Sequence, residues 1–392
     1  MEYFRELGII TPILRAIEDE QFEKPTEIQE KSIPLILAGQ DVIAGAATGS
    51  GKTLAFASGI IRNSERGEGI QALVLTPTRE LAQQVATALA DFSTYKPLKI
   101  VAVFGGMSIN PQIAQLRNAD VVIGTPGRIL DHIGRRTIDL RRVNTLVLDE
   151  ADRMLDMGFI ADVEQIIREC PRERQTLLFS ATISREVARL ARKYMNDPVQ
   201  VAAETYVDPK KLTQFYYDVP DNLKFSLLVH LLKHEEAGLV MVFCNTRHNT
   251  DFVANNLKAA GIDAQATHGG LTQERRNKVM KQFHAQNVSV LVCTDVAARG
   301  LDIPGVSHIY NYDIPKYRKD YIHRIGRTAR AGKEGRAISI LASSDYDSFR
   351  RVMSLKDVTI TEEKLPDVKK ERIRWREERP KNVRPGHRTY RR

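Results

Sequence analysis

Asp41-Val42-Ile43-Ala44-Gly45-Ala46-Ala47-Thr48-Gly49-Ser50-Gly51-Lys52-Thr53-Leu54 sets a short apolar, β-rich run ahead of a glycine-bearing loop, and a helix-like segment follows from Leu54 to Ile60. An unbroken apolar run of this length is the signature of a strand buried on both faces, as in a parallel sheet. In the loop, Gly49 and Gly51 let backbone N–H groups approach an anion with no Cβ in the way. Lys52 supplies a charge suited to the β and γ phosphates of a nucleotide, and the Thr53 hydroxyl suits Mg²⁺. The segment from Ala46 through Ala47, Thr48 and Ser50 to Thr53 therefore predicts a phosphate-binding loop between a strand and a helix, although Ala46 stands where many such loops have their first glycine.

Outward from that loop, Thr145-Leu146-Val147-Leu148 ends in Asp149-Glu150-Ala151-Asp152. An acid pair after a buried strand, in a chain that also carries a phosphate loop, predicts Asp149 as the second acid for Mg²⁺ and Glu150 as the base that polarises an attacking water. Ala72-Leu73-Val74-Leu75, Ile100-Val101-Ala102-Val103, Val121-Val122-Ile123 and Leu177-Leu178-Phe179 repeat the strand signal, each soon followed by Gly, Pro, Thr, Ser or Asp. Leu81, Val85, Leu89 and Phe92 fall on one helical face, as do Ile183, Val187, Leu190 and Tyr194. Alternating strand and helix predicts an α/β fold with a doubly wound, mainly parallel sheet flanked by helices.

The second half repeats the pattern with Leu239 to Phe243, Val288 to Val292, Ile309-Tyr310 and Ala337 to Leu341, but has no second glycine loop. The expected division is a nucleotide-binding domain over 1–203, a polar, proline-broken linker over 204–211, a second α/β domain over 212–355 and a basic, flexible tail over 356–392. Two similar lobes and one nucleotide imply a cleft that closes when the nucleotide bridges it.

Charge separates the tail from the body. The chain of 392 residues carries a net +9, yet Lys369 to Arg392 alone hold eleven Lys or Arg against three Glu, so the remainder is close to neutral. Clustered arginines suit a phosphate backbone, and the tail reads as an arm for a polyanion. No run approaches the eighteen apolar residues of a membrane span, and the N-terminus lacks a signal-peptide layout; a soluble, cytoplasmic protein is expected. Cys170, Cys244 and Cys293 stand singly in apolar contexts and read as buried thiols in a reducing compartment.

An ordered series of segments from Phe4 to Gly332 resembles the DEAD-box RNA helicases. It runs through Phe22 with Pro25-Thr26-Glu27-Ile28-Gln29, the phosphate loop, Pro77-Thr78-Arg79-Glu80-Leu81-Ala82, Gly105-Gly106, Thr125-Pro126-Gly127-Arg128 and Asp149 to Asp152. Ser180-Ala181-Thr182, Val242 to Arg247, His268-Gly269-Gly270, Gln273 to Arg276, Thr294 to Asp302 and His323 to Arg330 complete it. The resemblance implies two tandem RecA-like domains, ATP and Mg²⁺ as cofactors, and RNA as partner.

It also implies roles. Gln29, with one donor and one acceptor edge, suits the N6 and N7 of adenine, with Phe22 and Phe4 as the flanking aromatic pair. Arg327 and Arg330 resemble arginine fingers aimed at the γ phosphate, while His323 and Arg324 would link that phosphate to the acidic motif and to Ser180 and Thr182, with Asp152 in the same relay. Asp302 would hold the ribose and Gly300 permit the turn beside it. RNA would cross the other rim of both lobes, over Pro77, Thr78, Arg79, Gly105, Gly106, Thr125, Pro126, Gly127 and Arg128 in the first. In the second lobe it would meet Asn245, Arg247, Gly270, Gln273, Arg276 and Thr294. These are phosphate-seeking side chains and loop glycines with few base readers, so little sequence specificity is expected.

The chain departs from the family pattern where Gln21 and Ala329 replace a usual glycine; Ala329 bears on the turn that aims Arg330. The resulting expectation is an RNA-stimulated ATPase, monomeric, with possible ribonucleoprotein partners, that unwinds short RNA duplexes or remodels RNA and its complexes. A DNA-unwinding translocase and an ATP-dependent RNA clamp of negligible turnover remain as alternatives at this point.

Overall fold

The computed structural model describes residues 1–46, 49–202, 212–298, 303, 305–329, 334–355 and 359–374. Among them, strands assemble into two seven-stranded sheets. The first contains β1 (Val42–Gly45), β2 (Ala72–Leu75), β3 (Ile100–Val103), β4 (Val121–Gly124), β5 (Thr145–Leu148), β6 (Gln175–Ser180) and β7 (Val199–Ala202), in the order β3-β4-β2-β5-β6-β1-β7. The second contains β8 (Leu212–Asp218), β9 (Leu239–Cys244), β10 (Ala264–Thr267), β11 (Val290–Thr294), β12 (Val306–Asn311), β13 (Gly335–Leu341) and β14 (Thr361–Glu362), in the order β10-β11-β9-β12-β13-β8-β14. Every pairing in both sheets is parallel.

Side chains alternate across each sheet, and this alternation builds two cores per lobe. Val42, Ala44, Val74, Ile123 and Phe179 pack on one face of the first sheet, while Ile43, Leu73, Leu75, Val122 and Leu178 pack on the other. In the second lobe Met241, Phe243, Leu291 and Ile309 face one core and Val240, Val242, Val292 and Tyr310 the other. With helices covering both faces, strands of either lobe expose functional groups only at their ends, and the C-terminal ends carry the glycine, threonine, arginine and aspartate clusters.

The flexible-tail expectation fails for residues 359–374. β14 adds to β8, the Glu363 N–H donates to the Tyr216 carbonyl at 2.9 Å, and Leu365, Val368 and Ile373 pack on the second lobe's core. Asn256 then grips the backbone of Arg374, accepting from its N–H at 2.7 Å and donating to its carbonyl at 3.3 Å. Three spaced apolar residues anchor what the charge count reads as solvated. The linker 204–211 and residues 375–392 lie outside the described residues. Among the described residues no helix is long and apolar enough to cross a membrane.

Candidate nucleotide site and nucleic-acid face

The phosphate loop is held at both ends. At its root the Ala46 N–H donates to the Ser180 carbonyl of β6 at 2.8 Å, and at its end Gly51 takes φ 81° before the helix Lys52–Asn63 begins. A side chain at Gly51 would be strained by that φ and would also collide with the Gln29 amide. Gln29 accepts from the Thr26 N–H at 2.9 Å and donates to the Gly51 carbonyl at 2.9 Å, while the Thr26 hydroxyl donates to the Ser50 carbonyl at 2.8 Å. Gln29 thus braces the loop with one donor and one lone pair, leaving a second of each for a base edge. Thr26 is a contributor that sequence reasoning quoted without assigning. Ala47 and Thr48 lie outside the described residues.

β6 separates β1 from β5, so the two loops that follow those strands stand roughly 10 Å apart. The long Lys52 side chain spans that gap, and its Nζ lies 2.9 Å from Asp149 Oδ1, both side chains being buried. Burial works against the Lys52 ammonium, but Asp149 and Glu150 outweigh it and raise its pKa, so it stays charged. The Asp149 pKa is raised as well, by burial and by Glu150 beside it against the pull of Lys52, which in its case favours the neutral form. Its Oδ2 is buried with no hydrogen-bond partner, as is the Ser50 hydroxyl. Such a site is short of positive charge and has an oxygen to spare, which fits a hard cation.

Glu150 occupies the left-handed region at φ 52°, ψ 50° as the residue before the helix Ala151–Asp156. For a non-glycine residue this is a costly backbone, of the kind concentrated at functional sites. Arg153, one turn on, places Nε 3.5 Å from Glu150 Oε2 and is itself buried. Asp152 accepts from the Thr182 N–H at 3.0 Å and hydroxyl at 2.8 Å, and its own N–H donates to Ser180 Oγ at 3.2 Å. Asp152, Ser180 and Thr182 therefore form one bonded unit.

A cavity of about 1050 Å³ opens over the loop, lined by Phe22, Gln29, Gly49, Gly51, Lys52, Thr53 and Asp149 among others. Phe22 lies on its wall, edge-on to Phe92 with centroids 6.2 Å apart. Phe4 is not among the residues that line the cavity: it is wholly buried in the first core, so its expected place in the aromatic pair beside the adenine is corrected to packing.

In the second lobe, Arg327 and His323 line a small cavity together with Arg153 of the first lobe, so the helix Arg318–Ile325 and the turn after it confront the acidic motif. Arg324 lines the same cavity but spends its donors inside its own lobe. Its Nε and Nη2 bond Asp295 at 2.6 and 2.7 Å, Nη1 bonds the Asp313 carbonyl at 2.6 Å and Asn311 at 3.2 Å, and Nη2 also bonds Asn245 at 3.0 Å. All five guanidinium N–H groups are used and the residue is 1% exposed, so the phosphate role expected of it is corrected to a rivet within its lobe. Asn245 is engaged with it, its amide accepting from Arg324 and donating to the Ile314 carbonyl at 2.9 Å while the residue stays exposed. Gly300, Asp302 and Arg330 lie outside the described residues. Ala329 has φ 54° and Gln21 φ 57°, so both residues that replace a usual glycine sit in the left-handed region.

The remaining polar loops follow a different half of each sheet. Pro77 and Thr78 follow β2, Gly105 and Gly106 follow β3, and Thr125 to Arg128 follow β4, so they line the β3-β4-β2 side. The nucleotide loops follow β5, β6 and β1. The second lobe repeats this, with Arg247 after β9, Gly270 after β10 and Thr294 at the end of β11. Thr78, Thr125, Thr246 and Thr272 stand before helices whose N-terminal N–H groups face this rim.

Arg79 lies against Gly105 and Gly106, the latter at φ 80°, where a side chain would overlap the guanidinium. Burial, and the like charges of Arg276 and Arg128 set against the pull of Glu80, hold its pKa below the ordinary value. Three arginines are gathered here against Glu80 and Asp131, a local excess of positive charge of the kind a polyanion site needs. Arg247 approaches Gly269 and Gly270 in the same manner. Gln273 and Arg276 have a partner the sequence did not suggest: each reaches Glu80 Oε1 of the first lobe at 2.9 Å. Lys319 also pairs with Asp156 across the lobes.

The chain matches the family models described as DEAD/DEAH box helicase over residues 26–190 and helicase conserved C-terminal domain over 223–332. It is 46% identical to the ATP-dependent RNA helicase CshA of Listeria monocytogenes over 90% of this chain and 68% of that protein. The structure of S. cerevisiae Dbp5 bound to RNA and ADP BeF3 is similar at TM-score 0.84 and 32% identity, covering 92% of this chain and 95% of that one. A DEAD box protein from Methanococcus jannaschii, at 44% identity over 92% of this chain and 99% of that one, gives only 0.57. The chain belongs to the DEAD-box family of ATP-dependent RNA helicases.

Proposed function

We propose that this chain closes its two lobes around one ATP and one RNA strand, uses the closed form to separate short RNA duplexes or strip RNA complexes, and reopens on hydrolysis. The observation that supports this most is the buried Lys52–Asp149 pair with its unpartnered oxygen on one lobe, while Arg327 of the other lines a cavity with Arg153, whose Nε lies 3.5 Å from Glu150. Lys52 holds the β and γ phosphates, Gln29 and Phe22 the adenine, and Glu150 takes the proton of the attacking water. Arg327 neutralises charge that builds on the γ phosphate.

Thr53 and Asp149 would hold Mg²⁺ against the phosphates, where it offsets their charge. Among the described residues no group of three or more His, Cys, Asp or Glu could hold a metal alone, so the nucleotide must share in binding it. The ladder from Asp152 through Thr182 and Ser180 joins the acidic motif to β6 and carries the state of the nucleotide to the lobe interface.

RNA lies across the β3-β4-β2 and β10-β11-β9 rims, held at phosphates by Thr78, Arg79, Arg128 and Arg247 and by helix N-termini, which gives little base preference. Residues 375–392 add a basic arm that holds RNA near the lobes between cycles. The chain acts as a monomer, with ribonucleoproteins as its targets, in the reducing cytoplasm suggested by three buried, unpaired cysteines. The test is ATP hydrolysis and short-duplex separation with RNA and with DNA of the same sequence. RNA-stimulated hydrolysis and RNA-selective unwinding are expected, and a Glu150→Gln variant should bind ATP without turning it over. Equal unwinding of DNA, or normal turnover by that variant, contradicts the reading.

A further inference from the structure

Gln112 lies outside every motif discussed above, yet it touches both RNA loops of the first lobe. It sits on the helix Ile109–Leu116 and is 6% exposed. Its Nε2 donates to the carbonyl of Phe104, the residue before Gly105-Gly106, at 3.1 Å. Its Oε1 accepts from Arg128 Nη1 at 3.4 Å, and Arg128 Nη2 in turn donates to the Met107 carbonyl at 3.1 Å. The same Oε1 faces Nε2 of His132 at 3.3 Å. His132 is wholly buried one helical turn after Arg128, and its Nδ1 lies 2.8 Å from the Thr137 hydroxyl.

We infer that Gln112, oriented by His132, is a positioning residue that fixes the Gly105-Gly106 loop and Arg128 at one spacing, so that both meet successive phosphates of a bound strand. An amide is suited to this because it donates in one direction and accepts in the other. Oε1 of Gln112 can only accept, which places the His132 proton on Nε2; Nδ1 then faces the Thr137 hydroxyl at 2.8 Å, whose one proton is shared with the His132 carbonyl at 3.2 Å. Burial, and then the charge of Arg128, lower the His132 pKa and favour that neutral form. The long 3.4 Å contact leaves Arg128 restrained in direction but not consumed, unlike Arg324, so it can turn its charge to a phosphate.

The inference rests on the proposed RNA face, and the experiment separates the two. RNA-stimulated ATPase is measured against RNA concentration for Gln112→Leu, Thr137→Val, Arg128→Ala and the Gln112→Leu/Arg128→Ala double variant, with melting temperature alongside. Gln112→Leu is expected to raise the RNA concentration for half-maximal stimulation about tenfold, with ATP KM and the rate at saturating RNA unchanged. Thr137→Val, which keeps the packing but frees the imidazole, should raise it by about two- to fourfold. The double variant should be little weaker than Arg128→Ala alone, because the two side chains act through one contact. Full additivity, an unchanged half-saturation in Gln112→Leu and Thr137→Val, or a fall in ATP affinity and maximal rate together would overturn the inference. An Arg128→Ala variant that binds RNA normally would instead refute the RNA face itself.

Discussion

Lys52 and Lys224 occupy the same place in the two lobes. Each begins the helix after the strand next to the outermost one, β1 or β8, and each faces an acid that follows the strand two positions away: Asp149 after β5 at 2.9 Å, Asp313 after β12 at 4.0 Å. Their surroundings differ. Lys224 also bonds Asp345 at 2.5 Å and lies 5.1 Å over the Tyr312 ring, while Asp313 accepts from the Asn245 N–H at 2.8 Å and from Asn249 Nδ2 at 2.9 and 2.7 Å. Pro220 and the tight turn Asp221–Leu223 stand where the first lobe has Gly49 to Gly51. At this place in the second lobe Lys224, Asp313 and Asp345 are all answered by groups of that lobe. In the first, Asp149 Oδ2 is left open and Glu150 is held in a costly backbone. What marks the site is therefore unmet polarity, since a lysine facing an acid occurs in both lobes.

That contrast is sharpest under matched substitution. Lys52→Ala should lower ATP turnover by at least about 10²–10³-fold, because it removes a charge aimed at ligand, and should also cost stability by stranding the buried Asp149. Lys224→Ala should differ in turnover: it destabilises its lobe by roughly 3–5 kcal/mol, because a buried acid loses its partner, while the folded protein keeps near-normal turnover. Denaturant unfolding and steady-state ATPase on both variants check this, and matched turnover for the two would dissolve the distinction. Arg324→Ala belongs with Lys224: a stability loss of roughly 3–5 kcal/mol in the second lobe, read by the same unfolding curves, is expected from stranding Asp295.

The lobes communicate through fewer groups. Glu80 accepts from both Gln273 and Arg276 across the interface, so Glu80→Gln should lower the closed population by about tenfold, measured by energy transfer between dyes on the two lobes with RNA and a nonhydrolysable ATP analogue. An unchanged population would assign closure to ligand contacts alone. The smallest effect concerns Gln21 and Ala329, one in each lobe and each at positive φ. Gln21→Gly and Ala329→Gly should each stabilise by about 1 kcal/mol in denaturant melts, the left-handed penalty of a residue with a Cβ; no gain would mean that local contacts already offset the strain.

The central strands and the nucleotide loop were legible because buried parallel strands read as apolar runs and because glycine, lysine and paired acids have few other uses at that spacing. β7, β8, β10 and β14 were not read. Ala264-Gln265-Ala266-Thr267 is small and half polar, as an edge strand can be, and Leu212 to Asp218 alternates next to a stretch taken for linker. Phe4 and Arg324 were misplaced for one reason: a motif fixes which residue is present but not which way its side chain points. An arginine with five partners looks the same in sequence as one with none. The anchored segment 359–374 was hidden by charge, since net charge cannot register three apolar residues spaced to meet a groove.

The measurement that bears most directly on the two-sided grip is single-turnover ATP hydrolysis at saturating RNA by Arg327→Ala. If the second lobe completes the site, the chemical step should slow by about 10³-fold or more while ATP and RNA affinities hold. A chemical step as fast as that of the unaltered protein would mean that the first lobe hydrolyses ATP by itself.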